Sequence, residues 1–191
     1  MAEHVPGKAR KMPEYVALLR AVNIGPHHRV SMPALGEMFR GLGFTAVSTL
    51  LHSGNVVFQG EARPRPGLEK ALEQAVGRHL GVSTDVFVRT ASEWERIIVH
   101  NPFPEPARID PAHLVVVLLK KTPVVGALAA LERAIQGPER VRLVGDQVYL
   151  VYPEGIGRSK VTASVIEKHL GTLGTGRNWS TVQKLGERLQ P

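Results

Sequence analysis

The chain has 191 residues, 43% of them apolar and 21% charged, with 24 Lys and Arg against 17 Asp and Glu and no cysteine. That size and balance suit one or two small globular domains with a real core, and the absence of cysteine excludes disulfides, thiol catalysis and cysteine-ligated metal centres. The net charge of +7 either favours polyanionic partners such as nucleic acid or phosphorylated metabolites, or serves only to keep the surface soluble in a chain whose arginine content follows genomic base composition.

Residues 1–12, with Lys8, Arg10 and Lys11, read as a disordered basic tail without the apolar core of a secretory signal. Tyr15–Val22 is nearly all apolar and ends at Asn23-Ile24-Gly25-Pro26, the pattern of a strand buried on both faces and closed by a turn. Ser31 offers an N-cap for a helix whose stripe is Leu35, Met38, Phe39 and Leu42. Val47–Leu51 and Val56–Gln59 flank Ser53-Gly54-Asn55 as a hairpin. Leu68, Leu72, Ala75, Val76 and Leu80 define a second helix that stops at Gly81, and Asp85–Arg89 reads as the strand after it. The order over residues 13–90 is therefore that of a ferredoxin-like β-α-β-β-α-β module.

Residues 91–112 read as a connecting helix, opened by the capping box Thr90-x-x-Glu93, and a Pro-rich loop. A second α+β module follows over 113–170. Its elements are a buried strand at His113–Lys120, a helix capped by Thr122-Pro123, two strands joined at Gly145-Asp146, and a helix at Val161–Leu170. No closing strand is visible. Residues 171–191 read as a loop and a helix opened by the capping box Ser180-x-x-Gln183, with Val182, Leu185 and Leu189 on its apolar stripe. The longest apolar run beside a strand, Leu114–Leu119, is far short of the roughly 20 residues that a membrane span needs. With no cysteine, the expected location is the cytoplasm.

Four ordered segments stand out: Tyr15–Gly25, His52–Phe58, Gly155–Lys160 and Arg177–Val182. Together they resemble the domain-of-unknown-function 1697 family of mostly bacterial proteins. The resemblance implies an α+β fold with ferredoxin-like elements, and it carries no reaction, cofactor or catalytic residue. Gly25-Pro26 stands where the family pattern has two glycines, and Gly176 where it has a threonine.

The candidate chemistry lies at the ends of the predicted elements. Arg20, an isolated cation in an apolar strand, must pair with a carboxylate or face a cleft. Gly155-Ile156-Gly157-Arg158-Ser159-Lys160 leads into a helix and either receives an anion on free amides or forms a plain turn with Ser159 as N-cap. Its spacing is neither a Walker nor a dinucleotide fingerprint. Arg177, Asn178 and Trp179 offer a guanidinium fork, an amide and an indole for a nucleotide, or else pack on the core. Asn23, Arg29, Ser53 and Asn55 complete the ligand-binding set. His52 and His28 are the candidate acid–base groups of an alternative reading as an enzyme on a small anionic substrate. No metal site and no cofactor are expected, because adjacent His27 and His28 point apart on an extended segment. A third reading is an interaction module that forms a homodimer through a sheet face.

Overall fold

The computed structural model describes residues 12–24 and 29–189. The expected basic tail and His28 lie outside the described residues, apart from Met12. Among the described residues, eight strands and seven α-helices follow in chain order. The first six elements are β1 (Glu14–Leu19), α1 (Met32–Gly41), β2 (Thr45–Leu50), β3 (Asn55–Gln59), α2 (Arg65–Leu80) and β4 (Val86–Thr90). They form an antiparallel sheet in the order β2-β3-β1-β4, which is the ferredoxin-like arrangement. The helices α3 (Ala91–Val99) and α4 (Pro104–Ile109) connect to the second half. There β5 (Leu114–Leu119), α5 (Ala127–Ala134), β6 (Arg140–Val144), β7 (Gln147–Val151), α6 (Ala163–Leu170) and β8 (Gly174–Asn178) repeat the topology as β6-β7-β5-β8. The helix α7 (Trp179–Gly186) ends the fold.

The unbroken apolar runs of β1 and β5 follow from their position between two layers. In β1, Tyr15, Ala17 and Leu19 face α1 and α2, while Val16 and Leu18 face a second core. In β5, Val115, Val117 and Leu119 face α5 and α6, and Leu114, Val116 and Leu118 enter that same second core. Because side chains alternate across a strand, each central strand needs apolar residues at every position. The shared core is completed by Trp94 and Ile97 of α3 and by Trp179, Val182 and Leu185 of α7, and Trp94 Nε1 donates to the Val182 carbonyl at 3.1 Å. One face of each sheet is thus the surface on which the two modules meet.

Local chemistry set most boundaries. Ser31 caps α1, and Thr90 with Glu93 forms the capping box of α3. Gly81 and Gly171 end α2 and α6 in the left-handed conformation. Several expectations are corrected. The second sheet does close, with β8 drawn from a glycine-rich segment of low strand propensity that is held by pairing with β5. α5 starts only after Gly126, at φ 87°, so Thr122 caps nothing and Val124 is exposed. Ser159 does not cap α6; Thr162 does. Ser159 instead donates its hydroxyl to Glu139 and accepts from Val161 N at 3.0 Å. α7 starts two residues before the expected capping box, because Asn178 Oδ1 accepts from both Thr181 N and Thr181 Oγ1, at 3.0 and 2.7 Å.

At the β2–β3 turn, Gly54 has φ 72°, and a Cβ there would lie 2.7 Å from both Leu19 Cβ and Val22 Cγ2. Gly54→Ala is therefore expected to cost about 2–4 kcal/mol, combining left-handed strain with a clash against the core. Urea unfolding of the two proteins checks it.

Candidate functional site

Each module reaches into the other with the same two residues of its sheet. The residue after the first strand is a cation: Arg20 Nε donates to the Gly174 carbonyl at 3.2 Å and Nη2 to both Glu167 oxygens at 2.9 and 3.0 Å. Reciprocally, Lys120 Nζ donates to the Val86 carbonyl at 2.5 Å and to Glu73 and Glu69 at 2.8 and 2.9 Å, and it stands over the Phe87 ring. The fourth residue of the last strand is an arginine in both modules. Arg89 Nη1 and Nη2 donate to the Val88 and Leu119 carbonyls, at 2.8 and 3.1 Å; Arg177 Nη1 and Nη2 donate to those of Gly176 and Leu19, at 2.8 and 2.9 Å. The next residues, Thr90 and Asn178, both cap a helix.

The two junctions differ in what surrounds the arginine. Arg89, 1% exposed, meets the Asp146 carboxylate at 3.1 Å, and Arg65 meets the same carboxylate at 2.7 Å. Burial lowers the pKa of Arg89, and Asp146 opposes that shift. At the other junction Arg177 has no carboxylate in ion-pair contact among the described residues. Its remaining hydrogen bonds go to Asn55 Oδ1 at 2.6 Å, the Ser53 carbonyl at 2.8 Å and Thr175 Oγ1 at 3.1 Å. Desolvation lowers its pKa to about 10.

Helix length explains why one junction is filled and the other open. The 16-residue α2 carries Arg65 and Glu69 in its N-terminal half, and both enter the ion-pair cluster. In the register that pairs Glu167 with Glu73, the 8-residue α6 begins at the position of Glu69, where it has Ala163, and lacks the preceding turn that carries Arg65. Beside Arg177 this leaves a cleft of about 700 Å³, whose wall combines Ala163 and Glu167 of α6, Gly174 and Gly176 of β8, Val115 and Val117 of β5, and Leu19, Ala21, Val22 and Ile24 at and just beyond the end of β1. Most of the lining is apolar. Ala21, Asn23 and Leu51 hold positive φ at or beside its rim, an accumulation of strain of the kind found at binding sites.

The expected site residues separate into groups. Arg20, Arg177, Asn178, Ser53 and Asn55 gather at this junction. Arg20 is neutralised by Glu167 and Asp85. Arg177 has all five N–H groups engaged and so cannot also clamp a substrate anion. Asn55 is wholly buried and acts as the partner of Arg177. Trp179, 4% exposed, lies in the shared core and has no free face on which to stack a base. Arg158 and Lys160 are exposed and line a separate hollow of about 430 Å³ with Glu139 and His169. Arg29 and the exposed His52 line a third, of about 410 Å³. Asn23 borders that hollow and ties its loops together, bonding Val30 through both side-chain atoms and the His52 carbonyl at 2.6 Å. Arg89 and Lys120 escaped the sequence reading, although each ends or interrupts an apolar strand, the signal that singled out Arg20. Among the described residues no group of three or more His, Asp or Glu is placed to hold a metal ion, and no helix is long and apolar enough to cross a membrane.

These features define a tandem ferredoxin-like α+β protein, its halves locked by reciprocal basic residues around one filled and one open junction. The family described as "Protein of unknown function (DUF1697)" matches residues 12–149, and the chain belongs to it. A similar solved structure is that of the conserved bacterial protein SP0830 from Streptococcus pneumoniae, 20% identical, with a TM-score of 0.74 over 94% of this chain and 99% of that one. No curated protein matches the chain.

Proposed function

We propose that the chain is a cytoplasmic binding protein that takes a nucleotide or a similar phosphate-bearing metabolite in the open junction between its modules. The observation that carries this reading is the asymmetry of the two junctions: the arginine of one is compensated by Asp146, while that of the other projects an uncompensated charge beside a cleft of about 700 Å³. A volume in that range suits a small organic ligand, and apolar walls suit its planar or aliphatic body. Arg177 acts through its field rather than by direct contact, since no N–H remains. The N-terminal turns of α6 and α7 both border the cleft and add the positive ends of their dipoles.

A long nucleic acid is the less fitting ligand, because Arg29, Arg158 and Lys160 line other hollows than this cleft. Calorimetric titration with a nucleotide panel and with labelled oligonucleotides, at two salt concentrations, separates the two. The expected result is nucleotide binding that weakens modestly with salt. A steep salt slope for oligonucleotides alone would transfer the function to nucleic acid. Silence from every ligand would remove the reading.

A further inference from the structure

The two modules also differ at a single backbone amide. The bonds Arg20 N to the Asp85 carbonyl and Lys120 N to the Leu173 carbonyl set the alternation along β4 and β8, so that Val86 and Val88, and Gly174 and Gly176, turn their amides away from the sheet. Three of these four amides meet a glutamate. Val86 N donates to Glu73 and Gly174 N to Glu167, both at 3.0 Å, and Val88 N donates to Glu69 at 2.8 Å. Glu73 and Glu167 are equivalent, and one helical turn before each stand Glu69 and Ala163. Gly176 N–H, on an exposed residue in the cleft wall, therefore has no protein acceptor among the described residues.

We infer that the oxyanion of the cleft's ligand takes the place that the Glu69 carboxylate takes in the first module, accepting from Gly176 N–H beside Ala163. This rests on the binding reading above and locates its anionic group. The first module shows that the arrangement is self-consistent. There Glu69 and Glu73 share Lys120, so a second oxyanion is accommodated next to the one that already binds the cation. In the second module Arg20 holds Glu167 in the same way, and Arg177 adds a charge that no carboxylate balances. Gly176 has no side chain to shield its amide, so an oxygen can approach closely. The shared chemistry is a carboxylate or phosphate oxygen.

The test follows backbone amides of the ¹⁵N-labelled full chain during titration with inorganic phosphate, acetate and adenosine monophosphate. The Gly176 resonance is expected to move furthest, in the direction of a stronger hydrogen bond. Ala163→Glu should restore the first module's internal carboxylate, shifting Gly176 before any addition and weakening the response to all three probes by about tenfold or more. Gly176→Pro removes the outward amide of an edge strand, with a Cβ 3.1 Å from Val115 Cγ1, and should abolish the response of the neighbouring cleft amides to all three probes while the rest of the amide spectrum keeps its wild-type dispersion. Movement of other cleft amides while Gly176 stays silent would overturn this inference and leave the binding reading standing. No movement anywhere would overturn both. An Ala163→Glu chain whose Gly176 amide is unchanged would show that the two modules are not equivalent at this point.

Discussion

Replacing Arg177 with methionine is expected to destabilise the protein by about 3 kcal/mol or more, because a group of oxygens at the module junction loses its donors at roughly 1 kcal/mol each. For a chain of this size that lowers the melting temperature by about 6–12 °C. The acceptors are Asn55 Oδ1, Thr175 Oγ1 and the Leu19, Ser53 and Gly176 carbonyls, which belong to three strands and a turn of both modules. Arg177→Lys should recover little, since an ammonium has three donors and no planar fork. The sign of the pH effect follows from the lowered pKa. Between about 10 and the ordinary arginine value the unfolded chain binds more protons at this position than the folded one, so the group's contribution to stability rises with pH across that window. Below it, the partners are amide, hydroxyl and carbonyl groups that do not titrate. The stability difference between wild type and Arg177→Met should therefore stay flat from pH 5 to about 9. Denaturant unfolding across that range checks it, and a difference that shrank towards acid would reveal a carboxylate partner.

The opposite junction should respond to pairing rather than to donor count. Asp146→Ala leaves the Arg89 guanidinium, 1% exposed, with Glu69 at 4.0 Å as its nearest carboxylate, and should cost about 3–5 kcal/mol. Arg89→Met combined with Asp146→Leu removes both charges and should recover most of that loss, as buried pairs replaced by apolar residues commonly do. A double-mutant cycle by chemical denaturation measures the coupling. Strictly additive losses would mean that Asp146 acts through Arg65, 2.7 Å away, or through the turn, and not through Arg89. Because Arg89 Nε has no partner in this buried setting, the pair already leaves one donor unsatisfied, which favours the apolar replacement.

Much of the fold was legible in the sequence because its signals are local. Ser31 and the Thr90–Glu93 box opened helices where expected, Gly54 and Gly145 turned hairpins, and Gly81 and Gly171 stopped α2 and α6. The doubly apolar runs of β1 and β5 correctly announced central strands. β8 was illegible for the converse reason. Gly174-Thr175-Gly176 has no intrinsic tendency to extend, and pairing with β5 alone makes it a strand. Trp179 shows the same limit from the other side: an indole before a capped helix reads equally as stacking surface or as core, and only packing against α3 and β5 makes it core.

The sequence by itself determined the family, through four ordered motifs, and the element order of the first module and the isolated cation Arg20, since caps and periodicity act within a few residues. Only the tertiary structure decided what the cations meet. Arg20 lies 147 residues from Glu167, and Arg177 lies 158 from Leu19. Their ion pairs and hydrogen bonds exist because two copies of one topology pack face to face. Which junction stays open depends on where α6 begins, half the length of α2, and on Ala163 standing where the first module has Glu69.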